Sequence, residues 1–81
     1  MTDDKTVLSE LNPGEKARVC FLDDSLDKQK LSAIGIIEDT EIEVLYRSPF
    51  GNPAAYLIRG AVFALRKDTA EKIAVEKIES I

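Results

Sequence analysis

Apolar residues in this chain return at every second position in short runs, and clusters of Pro, Gly and Asn cut the runs apart. Thr40, Ile42, Val44 and Tyr46 alternate with Glu41, Glu43 and Leu45, the clearest case. A period of two sends successive side chains to opposite faces of a strand, one toward a core and one toward water. Across Glu15 to Leu22, Ala17, Val19 and Phe21 alternate with Lys16, Arg18 and Cys20. Ala54 to Ile58, Ala61 to Arg66 and Lys72 to Ile78 complete five expected strands. Asn12-Pro13-Gly14 and Arg59-Gly60 are read as turns. Ser48-Pro49-Phe50-Gly51-Asn52-Pro53 cannot carry a strand ladder and is read as a loop.

Helical signals are brief. Asp23-Asp24-Ser25 offers N-cap candidates for a helix from about Asp27 to Ile34, with Leu31 and Ile34 on one face and Gly35 just past its end. Asp68-Thr69-Ala70-Glu71 has the spacing of a capped helical turn. Thr6 to Leu11 reads as a short strand or a turn laid over the sheet. The expected fold is therefore mainly β: a small five-stranded barrel with one short inserted helix and a single helical turn before the last strand. Closure would remove most exposed edges. At 81 residues the chain has room for one domain, 1–81, and one core.

Charge and residue types exclude several function classes. The chain has no histidine and one cysteine, so it has no nucleophile–base pair and lacks the commonest neutral metal ligand. Cys20 lies in the apolar run Val19-Cys20-Phe21-Leu22 and is expected to be buried. The paired acids Asp3-Asp4, Asp23-Asp24 and Glu38-Asp39 read as caps or solvated charge, and no loop has the spacing of a hard-cation site. No enzyme, cofactor or metal site is expected. No apolar run is long enough to cross a membrane, and Met1-Thr2-Asp3-Asp4-Lys5 is unlike a secretory signal, so the expected location is cytoplasmic.

The net charge is −4 but uneven. No acid occurs between Glu43 and Asp68, a stretch that carries Arg47, Arg59, Arg66 and Lys67. An acidic chain repels nucleic acid as a whole. Nucleic-acid binding would also want aromatic side chains free on strand faces. Phe21, Tyr46, Tyr56 and Phe63 fall mostly on core-like phases, so nucleic acid is not an expected partner.

Several segments resemble the FeoA family of small ferrous-iron-transport accessory proteins. Leu8-Ser-Glu-Leu11-Asn-Pro-Gly14 is similar to that family's opening Leu-x-x-Leu-x-x-Gly, and Leu31-Ser-Ala-Ile34-Gly35-Ile36 to its short helix and glycine stop. Ser48-Pro49-Phe50-Gly51-Asn52-Pro53 is similar to its Pro-(Phe/Leu)-Gly-Asp-Pro loop, with Asn52 in place of the Asp. Arg59-Gly60, Ala64-Leu65-Arg66 and Ala70, Ile73 and Val75 follow in the family's order. Lys30 stands where the family often has Arg, and Asp39 where a turn Gly is usual.

The resemblance implies an SH3-like barrel and a partner, the cytoplasmic GTPase or membrane domain of a FeoB-type ferrous iron transporter. It also offers an alternative, a metal- or ligand-responsive module similar to the SH3-like C-terminal domain of DtxR-type repressors. Self-association is left open. Within the chain the best candidate for docking a protein is the Ser48–Pro53 loop. Two prolines cut its entropy and Phe50 stands at its tip. The candidate contact residues are Pro49, Phe50, Gly51, Asn52 and Pro53, with Arg59 and Arg66 expected to flank them.

Overall fold

A computed structural model of the chain describes residues 5–50 and 52–78. Six strands form one antiparallel sheet: β1 (Lys5–Val7), β2 (Lys16–Leu22), β3 (Glu41–Arg47), β4 (Ala54–Ile58), β5 (Ala61–Leu65) and β6 (Ile73–Ile78). Their order across the sheet is β1-β6-β2-β3-β4-β5. A 3-10 turn, Leu8–Glu10, follows β1, helix α1 (Lys28–Ala33) joins β2 to β3, and α2 (Lys67–Ala70) joins β5 to β6. The small SH3-like β fold expected from the sequence is present, with one strand more than the five counted. The N-terminal segment is both of the things the sequence allowed, a three-residue strand and then a turn. Leu8 and Leu11 from that segment are fully buried with Val19, Ile36, Ile42, Val44, Ile58, Ile73 and Val75. The outer strands β1 and β5 do not pair with each other, so the barrel keeps a seam.

Two β-bulges decide which residues face that core. β2 and β6 pair in register through Val19↔Val75, then Phe21 meets Ala74, leaving Cys20 as an extra residue. β3 and β4 pair through Val44↔Tyr56, then Tyr46 meets Ala55, leaving Leu45 extra. An inserted residue inverts the inside–outside phase of everything beyond it. Leu22 is therefore buried and Phe21 is 54% exposed, while Tyr46 is 57% exposed. Cys20, expected inside, is exposed on the first bulge.

The helices are held by local chemistry. Asp27, not the Asp23–Ser25 cluster, caps α1: its carboxylate accepts from the Lys30 N–H at 3.1 Å. Asp23 instead accepts from the N–H and hydroxyl of Ser25, which holds its carboxyl below the usual range. At the other end of α1, Gly35 N–H bonds Ser32 O and Ile36 N–H bonds Leu31 O. That is a Schellman close, with Gly35 at φ +97°. α2 starts after Arg66, which makes no side-chain cap. Asp68 falls within the helix, so the expected capping box with Glu71 does not form.

Candidate functional site

The Ser48–Pro53 loop joins β3 to β4 at one end of the sheet. Ser48 N–H donates to Pro53 O at 3.2 Å, continuing the ladder one step past Arg47↔Ala54. The Asn52–Pro53 peptide is cis. Asn52 Oδ1 accepts from the Lys67 N–H at 2.9 Å, across the gap to α2. The side chain that replaces the family's Asp thus caps the helix from outside, a role that needs an acceptor oxygen and no charge. Ser48 Oγ is buried and finds no partner among the described residues. Phe50, at the tip, is 94% exposed. It does not fold back onto the core.

The expected contact residues divide into two groups. Asn52 and Pro53 come together with Arg66 in a shallow groove, because Leu65 pairs with Ala54 and delivers Arg66 to this end of the sheet. Pro49 and Phe50 belong to the same loop, and Phe50 lines a separate pocket with Arg47 and Lys67. Gly51 lies outside the described residues. Arg59 does not flank the loop. It occupies the β4–β5 turn, at the far end of a five-residue strand, about 17 Å away at ~3.4 Å per residue. There the Arg59 stem crosses Gly35, and the side chain lines a trough of about 430 Å³ with Lys16, Asp39, Glu41 and Glu43. That trough is the largest concavity described, but its charge is mixed. Neither Arg59 nor Arg66 forms an ion pair among the described residues; Glu41 pairs with Arg18.

One residue at this end escaped the sequence reading. Arg47, the last residue of β3, donates through its guanidinium to Ser9 O at 2.8 Å and to Leu11 O. It ties the 3-10 turn to the loop's base. The bulge at Leu45 puts Arg47 on the inward phase, in one row with Ala54 and Leu65.

The FeoA domain family matches residues 6–77. The chain belongs to the FeoA family. A solved FeoA-like protein from Clostridium acetobutylicum is 30% identical, with a TM-score of 0.85 over 100% of this chain and 94% of that one. A crystal structure of an iron uptake regulatory protein (FeoA) is 31% identical, with a TM-score of 0.80 over 91% and 97%. A manganese-dependent transcriptional repressor is 24% identical, with a TM-score of 0.83 over 95% of this chain and 43% of that one. At that identity the likeness is one of fold. No curated protein matches the chain. In this FeoA domain no described helix is long and apolar enough to cross a membrane. In this FeoA domain the loop is tied to α2 through Asn52 and holds Phe50 exposed at its tip.

Proposed function

We propose that this chain is a non-enzymatic, cytoplasmic accessory protein of ferrous iron uptake that binds the cytoplasmic part of a FeoB-type membrane transporter. The observation that carries the reading is Phe50, 94% exposed on a loop fixed at its base by Ser48–Pro53 and at its side by Asn52–Lys67. A large aromatic held in water by a rigid loop has already met its ordering cost and gains by burial in a partner's pocket. Family membership points to iron transport. The absence of acids from 44–67 favours a partner surface that is apolar with an acidic rim. Phe50→Ala should leave the denaturation midpoint within about 0.5 kcal/mol of the parent, as for other surface changes. The same change should weaken binding to the transporter's cytoplasmic domain by about 2 kcal/mol, roughly thirtyfold, measured with and without guanine nucleotide. Unchanged affinity would remove the loop from the docking surface.

A further inference from the structure

Between the 3-10 turn, the end of β3 and the start of α2 lies a second concavity, of about 190 Å³. Ala54 and Leu65 line it, and Phe50 stands beside it. Its polar lining is Ser9, Arg47, Tyr56 and Lys67. No carboxylate lines it, in a chain whose acids outnumber its bases 15 to 11. We propose that this pocket binds an oxyanion, a carboxylate or phosphate group, through Arg47, Lys67 and the Tyr56 hydroxyl.

Three observations converge on that ligand. First, Arg47 is placed here by the Leu45 bulge; unbroken alternation would have sent it to the outer face. Its Nη2 is committed to Ser9 O and Leu11 O, which fixes the guanidinium, while Nε and Nη1 hold no partner among the described residues. Second, Lys67 brings another cation, with no ion pair among the described residues. Its backbone is anchored by Asn52, so the side chain starts from a fixed point. Third, Tyr56 is 3% exposed, and its hydroxyl neither gives nor receives a hydrogen bond among the described residues. Tyr56 lines the pocket, so its uncommitted O–H can donate to an anion held there. A phenol is protonated at neutral pH, and burial pushes that of Tyr56 further up, so it is a donor there.

The size of the pocket narrows the ligand. Sites for drug-sized molecules run from about 300 Å³ upward. A pocket of about 190 Å³ holds a small anion or the tip of one acidic side chain. Two cations and a phenol donor suit the planar or tetrahedral oxygens of such a group. The inference does not depend on which protein docks at the loop, and it can fail while the transporter reading stands.

The test is an amide NMR titration of the full chain with sodium phosphate and with sodium acetate, each against sodium chloride at matched ionic strength. Saturating shifts at Ser9, Arg47 and Lys67 with an oxyanion, and none with chloride, are expected. Saturation by acetate points to an acidic side chain as the natural occupant, and saturation by phosphate alone to free phosphate. Lys67→Gln should weaken the oxyanion at least about tenfold, as for a lost charge-assisted hydrogen bond. Tyr56→Phe should weaken it several-fold while leaving thermal stability unchanged, since the hydroxyl has no partner to lose. Shifts no larger than those with chloride, or affinity untouched by both substitutions, would overturn the assignment.

Discussion

Two glycines show how differently one backbone conformation can be constrained. Gly60, at φ +82°, forms a two-residue turn with Arg59, itself at φ +51°. Positive φ at both positions is the type I′ geometry that matches the twist of a hairpin. A Cβ at Gly60 would meet nothing within 4 Å, so a substitution there pays only backbone strain. Gly60→Val should cost about 1–3 kcal/mol. At Gly35, φ is +97° and a Cβ would also lie 2.7 Å from Arg59 Cδ. Gly35→Ala therefore carries strain plus a clash, and Arg59→Ala should relieve only the clash. Urea unfolding of the two single variants and the double variant should show positive coupling between residues 35 and 59, as expected for residues in contact. Additive effects would mean that the Arg59 stem swings away at no cost.

At the level of elements, Asn52 links two pieces of chain that share no sequence proximity. Asn52→Ala removes the acceptor for Lys67 N–H and should destabilise the domain by about 1 kcal/mol, the usual worth of a lost cap. Asn52→Asp keeps the oxygen and should keep the stability. Equal losses in thermal unfolding for both would show that the cap contributes nothing. The strands and the Arg59-Gly60 turn were legible because each rests on a few neighbouring residues, whereas Asp39, left-handed at φ +73°, was marked only by the family resemblance, as standing where a turn Gly is usual. The bulges and the long-range cap were not. A bulge adds one residue to one strand, and local propensity is silent about the partner strand. A trace was nonetheless present: both bulges fall where the alternation gives way to consecutive apolar residues, Val19-Cys20-Phe21-Leu22 and Val44-Leu45-Tyr46. The candidate site was half legible for the same reason. The loop and Phe50 were plain from Pro and Gly, whereas Arg47 joined the site through a phase slip and Arg59 left it through strand length.

Over the whole molecule, the open seam has consequences outside the fold. β5 is Ala61-Val62-Phe63-Ala64-Leu65, an uncharged strand with Val62 exposed and no described strand on its outer side. Such an edge is a template for another chain's backbone. Two copies meeting antiparallel about Phe63 would set Arg59 of one against Lys67 of the other at both ends of the pair. At low ionic strength that like-charge contact should disfavour the pair. Its reach shrinks from about 8 Å at physiological salt to about 3 Å at 1 M. Light scattering at fixed protein concentration should therefore rise with added sodium chloride, and Val62→Lys should hold it flat. Scattering that stays low in the parent at every salt level would mean that the edge is covered. Colloidal behaviour should thus follow added salt through two cations, Arg59 and Lys67, that stand at the ends of one uncharged strand.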